Sequence, residues 1–100
     1  FNNDVTAFSD ARLKENVETI ENGLDKVAQL RGVSYTRIDQ KNARKQIGVI
    51  AQEIEKTLPE VVLTADDEMG TKSVDYAKIT AVLIEAIKEL KQEIEELKAK

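Results

Sequence analysis

Tyr76-Ala77-Lys78-Ile79-Thr80-Ala81-Val82-Leu83-Ile84-Glu85-Ala86-Ile87-Lys88-Glu89-Leu90-Lys91-Gln92-Glu93-Ile94-Glu95-Glu96-Leu97 contains neither proline nor glycine, and its apolar residues recur every seven positions. Tyr76, Leu83, Leu90 and Leu97 form one series. Thr80, Ile87 and Ile94 form a second, offset by four. These are the d and a positions of a coiled coil. The spacing predicts a helix from Tyr76 to Leu97, roughly 33 Å long at about 1.5 Å per residue. Asp75 stands where an N-cap is expected. Ile79, Val82, Ile84 and Ala86 widen the apolar face of the first half, so that half is expected to pack on a domain as well. From Glu89 onward only the seam is apolar, and this half is expected to project as a parallel coiled coil. Isoleucine at a with leucine at d favours two strands in simple zippers.

Working back from this helix, Asp66-Asp67-Glu68-Met69-Gly70 has turn chemistry between Val61-Val62-Leu63-Thr64 and Lys72-Ser73-Val74, which predicts a hairpin. Pro59 stops a short helix over Ala51–Leu58. Ile47-Gly48-Val49-Ile50 predicts a buried strand, with Gly48 marking a close backbone approach. Val33-Ser34-Tyr35-Thr36-Arg37-Ile38 predicts another strand, and the basic stretch from Asp39 to Gln46 a solvated loop. Val17, Ile20, Leu24, Val27 and Leu30 step along the chain at helical spacing. Gly23 confines that helix to about Leu24–Leu30, and Gly32 is a plausible stop. The expected fold is therefore α+β: a small three- to four-stranded antiparallel sheet, short helices and one long C-terminal helix. Three segments are expected: 1–8 as the end of something upstream, 9–75 as an α+β core, and 76–100 as the coiled-coil helix.

Composition narrows the function. One hundred residues make one domain at most, and two tyrosines, two phenylalanines and no tryptophan make its core aliphatic. A core that small stabilises a domain weakly, which favours self-association. The net charge of −4 argues against generic binding to nucleic acid or an anionic membrane. No apolar run is long enough to span a bilayer, and no secretory signal is visible. Without cysteine or histidine, disulfides and thiolate chemistry are excluded and a metal would have only oxygen ligands. Asp66-Asp67-Glu68 lacks the spacing of a calcium loop, so no metal or cofactor is expected.

The same absence limits nucleophilic catalysis. No serine–histidine pair can form. A serine hydroxyl activated by a lysine amine remains, and Phe8-Ser9-Asp10-Ala11-Arg12-Leu13-Lys14 offers one at a spacing of five. On a helix that spacing separates two side chains by about 140°, and on a strand they face opposite sides, so the segment must bend for Ser9 and Lys14 to meet. A free lysine has a pKa of about 10.4, and a base near neutrality needs it lowered by roughly three units, about 4 kcal/mol. Burial and a nearby cation lower it, and Arg12 is a candidate cation. Read from residues alone, Ser9 is more readily a helix N-cap with Asp10 in the first turn, and Lys14 a solvated charge.

Ser9-Asp10-Ala11-Arg12-Leu13-Lys14-Glu15-Asn16-Val17 resembles the opening of the C-terminal intramolecular chaperone domain of bacteriophage tailspikes, tail fibres and endosialidases. Ile47 to Glu55, Leu58-Pro59-Glu60-Val61-Val62, Lys72-Ser73-Val74-Asp75-Tyr76 and Leu83 to Leu90 follow in the order and approximate spacing of that family. The resemblance covers Ser9 to about Leu97. It implies a homotrimeric chaperone at the end of a β-helical fibre protein of the same chain, with the long helix in a parallel trimeric coiled coil. It implies assembly in the host cytoplasm, the fibre passing to the virion tail while the chaperone is released. Carried over by position, Ser9 is the nucleophile and Lys14 its base in a self-cleaving serine endopeptidase acting in cis. The scissile bond is Phe8–Ser9. The alternative is a structural trimerisation module that stays at the fibre tip uncut. The self-cleaving domain of eukaryotic membrane-bound transcription factors is a more distant likeness, and the phage-like motifs argue against it.

Overall fold

The computed structural model describes residues 6–100, so residues 1–5 of the expected upstream segment lie outside it. The long helix is the frame. α3 spans Tyr76–Lys98, and its buried residues Ile79, Val82 and Ala86 lie on one face. Ile84 was expected on that face but is 52% exposed. Asp75 occupies the N-cap position without a side-chain cap bond. Its carboxylate instead lies 3.8 Å from Lys78 Nζ.

Among the shorter elements, one helix and one 3₁₀ turn pack on α3. α1 (Gly23–Ala28) crosses α3 and makes its most extensive contact. β1 (Val33–Tyr35) and β2 (Gln46–Gly48) pair antiparallel, with Ser34 opposite Ile47. α2 (Ala51–Glu55) follows, and a single 3₁₀ turn, Pro59–Val61, leads into β3 (Val62–Thr64). β3 pairs antiparallel with β4 (Lys72–Val74). The class is α+β, but the four strands form two separate two-stranded sheets in place of one. Three-residue strands offer too little edge to recruit a third neighbour, and the turns around α2 separate the pairs.

The core sits where α2, the Pro59 turn and α3 converge. Ile54 is fully buried, and Leu58, Val61, Ile79 and Val82 surround it. Ile20, Val27, Leu30, Val49, Val62 and Val74 pack against this group. The Asp75 amide donates to the Val61 carbonyl at 2.7 Å, joining the second hairpin to the start of α3. That hairpin turns as its sequence predicts. Gly70 takes φ +62, and the Thr71 amide donates to Asp67 Oδ1 at 2.9 Å. The Thr71 N–H holds the Asp67 carboxyl below the usual carboxylate range.

As Gly23 implied, the helix does not reach back to Val17: Asn16 and Asn22 adopt left-handed φ values of 57 and 59, and the residues between them form an irregular arm. Ile47, expected in a buried strand, is 87% exposed, because its two-stranded sheet has no layer over that side. Tyr76, the first heptad residue, is 53% exposed. Its side chain reaches sideways, and its hydroxyl accepts the Val49 amide at 3.3 Å. A Cβ on Gly48 would lie 2.7 Å from that hydroxyl, which is the close approach expected there.

At Gly23 the close approach is to backbone. A Cβ there would lie 2.9 Å from the Ala86 amide nitrogen and 3.1 Å from the Val82 carbonyl oxygen. Both are backbone atoms and cannot swing aside. Gly23→Ala gains about 0.5–1 kcal/mol in helix preference but forces α1 off α3, an overpacking cost of about 1–3 kcal/mol. The expected result is net destabilisation, larger for Gly23→Val. Urea melts at one fixed protein concentration measure it, and an unchanged midpoint for Gly23→Val would contradict the close packing.

Candidate functional site

Residues Ser9 to Lys14 form a small closed turn. Asp10 caps the 3₁₀ helix Ala11–Leu13, its Oδ1 accepting the Arg12 amide at 2.9 Å. Arg12 folds back on the same carboxylate, Nε to Oδ1 at 3.1 Å and Nη2 to Oδ2 at 2.7 Å. The Arg12 side chain, and after it the Arg12 amide, hold the Asp10 carboxyl below its ordinary range, and the pairing raises Arg12 further. The Leu13 and Lys14 amides close the turn on the Asp10 and Ala11 carbonyls. The cap is thus Asp10, not Ser9.

On either side of the turn the backbone is extended at Asp10 and Lys14. The chain therefore leaves the turn running back past its entry. Lys14 Nζ donates to Ser9 Oγ at 2.9 Å. The bend that a spacing of five demands is present, and it brings together the two side chains that the sequence singled out. Both are exposed in the single protomer, as is Phe8. Arg12 lies against Asp10, so the fields of the two opposite charges largely cancel at Lys14.

The second feature is the outer face of α3. Leu83 (40%), Ile87 (65%), Leu90 (45%), Ile94 (44%) and Leu97 (67%) are exposed along it. Thr80 and Tyr76 are exposed as well. This stripe is distinct from the face of Ile79, Val82 and Ala86 that packs on the domain, so the heptad residues remain unpartnered within the protomer. A continuous apolar stripe on a helix otherwise lined by lysine and glutamate suits contact with a second amphipathic helix.

Two residues of structural weight escaped the sequence reading. Glu89 stands between the seam residues Ile87 and Leu90, yet its carboxylate accepts the Gly23 amide at 2.9 Å and the Leu24 amide at 3.2 Å. It caps α1, whose own N-cap residue Asn22 makes no side-chain cap bond. Glu53 pairs with Arg31, Oε2 to Nη2 at 2.6 Å, fastening the segment after α1 to α2. Neither partner is near in sequence, so local pattern carried no signal. Among the described residues no group of three or more acidic side chains is arranged to hold a metal, and no helix is long and apolar enough to cross a membrane.

Comparison with known proteins adds to this geometry. The chain is 39% identical to the long tail fiber protein Gp37 of Enterobacteria phage M1 over 96% of its own length and 41% of that protein. It is 39% identical to the protein of the same name in Enterobacteria phage Ox2, over 95% of its length and 40% of the relative. The corresponding protein of Enterobacteria phage K3 is again 39% identical, over 92% of this chain but only 8% of the relative. The chain thus spans about two fifths of the length of the first two relatives, and far less of the third. The family described as chaperone of endosialidase matches residues 9–63, from Ser9 through β3. With more than half its residues matched, beginning at the serine of the closed turn, the chain belongs to the chaperone-of-endosialidase family.

Proposed function

We propose that this chain is an intramolecular chaperone that brings three copies of an upstream phage fibre domain into register and then separates from them by cutting the Phe8–Ser9 bond. The carrying observation is the 2.9 Å contact between Lys14 Nζ and Ser9 Oγ in a turn that holds both. The exposed heptad stripe of α3 supports the assembly half of the reading. A homotrimer with the three helices parallel is consistent with both features: it covers the stripe and places three cleavage segments at one end. Heptad composition alone would suit a dimer. The trimer is what the resemblance to phage fibre chaperone domains implies.

The chemistry follows from the pair. As an ammonium, Lys14 donates to Ser9. Once neutral, it accepts the hydroxyl proton through the same contact. Ser9 Oγ then attacks the Phe8 carbonyl carbon, forming a C–O bond as the C–N bond to Ser9 breaks. The proton carried by Lys14 passes to the departing Ser9 amine. Water resolves the resulting ester, giving a Phe8 carboxylate and a free Ser9 hydroxyl. The step requires a neutral amine, and Lys14 is exposed in the protomer. With Arg12 held by Asp10, burial in the assembled trimer is the stronger source of that neutrality. Cleavage is thereby tied to completed assembly.

The test is the fate of a precursor carrying its own upstream fibre domain. After folding, N-terminal sequencing of the smaller fragment should begin at Ser9, and sedimentation equilibrium of the uncut form should give a trimer. A precursor that trimerises and keeps its full mass would instead establish the uncut trimerisation module. A dimer or monomer at micromolar concentration would overturn the assembly reading.

A further inference from the structure

The Glu89 carboxylate joins α3 to α1, which share no other side-chain hydrogen bond among the described residues. It reaches from α3 to the N-terminus of α1, 66 positions earlier in sequence, and it is partly buried there. Its two acceptor oxygens take one amide each, Gly23 through Oε2 and Leu24 through Oε1. These are donors that a helix leaves without intrahelical partners at its first turn. Asn22, in a left-handed conformation, offers them no side-chain bond of its own. Gly23 lets α1 come close enough for the contact, since a side chain there would strike the Ala86 and Val82 backbone.

Position matters at both ends. On α3, Glu89 lies between Ile87 and Leu90, which are seam residues and exposed in the protomer. On α1, the capped amides directly follow the irregular arm of residues 15–22, which leads back to the closed turn of Ser9 and Lys14. We infer that Glu89 is a positioning residue: it latches the arm carrying the cleavage turn to the stretch of α3 that the seam immobilises. Packing Ile87 and Leu90 against neighbouring copies fixes the α3 turn that presents the carboxylate. The carboxylate fixes the first turn of α1, and α1 sets where the arm leaves the domain. The inference rests on the proposed self-cleavage for its consequence, and on hydrogen-bond geometry alone for the latch.

The variant is Glu89→Gln in the full precursor, with Glu89→Asp beside it. Gln keeps one acceptor oxygen and loses the charge. Asp keeps the charge on a shorter side chain. In the trimeric parent, the amides of residues 23–28 should exchange with solvent slowly. Glu89→Gln should speed that exchange at least tenfold while leaving β3 and β4 unchanged, and Glu89→Asp should recover part of the loss. Self-cleavage is a single turnover, so rate and amplitude separate two roles. A positioning role predicts a rate constant reduced about tenfold, full final amplitude, an unchanged trimer and an unmoved inflection in the pH–rate profile. A merely structural role would lower the amplitude with the trimer fraction and leave the rate constant of surviving trimers alone.

Unchanged exchange in Glu89→Gln overturns the latch. Faster exchange with a parental rate constant overturns its link to cleavage. A parent precursor that never cuts refutes the self-cleavage reading and with it the positioning role, and exchange then decides the latch by itself.

Discussion

A precursor carrying Lys14→Arg is expected to fold, assemble and remain uncut. Arginine preserves the positive charge and much of the length of lysine, so it can still donate to Ser9 Oγ across the closed turn. What it cannot do is give up its proton, because a guanidinium stays protonated at any usable pH. If Lys14 serves only to hold the turn by its charge, the arginine variant cuts. If it must accept the serine proton, the variant is inert. Ser9→Ala should be equally inert, since it removes the attacking oxygen. Neither residue belongs to the buried core or to the stripe on α3, so the trimer should survive both changes. The fraction cut, read by gel and by mass against time, checks all of this. Parental cleavage by Lys14→Arg would remove lysine from the mechanism.

Leu90→Asp should disperse the assembly. Leu90 lies midway along the free stripe of α3, and three copies would meet at one level of the seam. Each leucine withdrawn from a buried seam forfeits about 1.5–3 kcal/mol. Three copies together exceed about 4 kcal/mol, roughly three decades in the assembly constant at ~1.4 kcal/mol per decade. Three carboxylates placed together in a desolvated layer add repulsion to that loss. Because Leu90 takes no part in the intrachain core, the protomer should keep its hairpins and helices. Sedimentation equilibrium should then show monomer at micromolar concentration, with far-ultraviolet circular dichroism little changed. An assembly as tight as the parent's would mean that the stripe is not the seam.

The parts of the fold legible in sequence are those specified by neighbours. α3 was legible because its period persists from Tyr76 to Leu97, and the second hairpin because Asp67 and Gly70 make their turn locally. The parts that were not legible depend on distant partners. An apolar residue in sequence does not say whether its partner is its own chain or another. Ile84 and Ile47 therefore read as core, although both face outward. Gly23 marked where α1 begins, but the path of the arm before it was not legible, because asparagine does not announce a left-handed φ, and both Asn16 and Asn22 adopt one. At the Ser9–Lys14 turn, the sequence supplied the residue types and the need for a bend. It did not supply the means, since the bend is made by Arg12 folding onto Asp10. Glu89 was invisible for the same reason as the separation of the two sheets: its contact spans 66 positions.

The arm between Lys14 and Asn22 has a further consequence. Fully stretched it reaches at most roughly 30 Å. On the proposed reading, a tether that short would hold the chaperone beside its fibre at an effective concentration in the millimolar range. Contacts between them too weak to persist between free molecules would then be occupied. Severing Phe8–Ser9, beyond the turn at the arm's end, would alter none of those contacts. It would replace the local concentration with that of the surrounding solution, which is lower by orders of magnitude. A weak grip, useless between strangers, would suffice to guide folding beforehand and would let go afterwards by dilution alone.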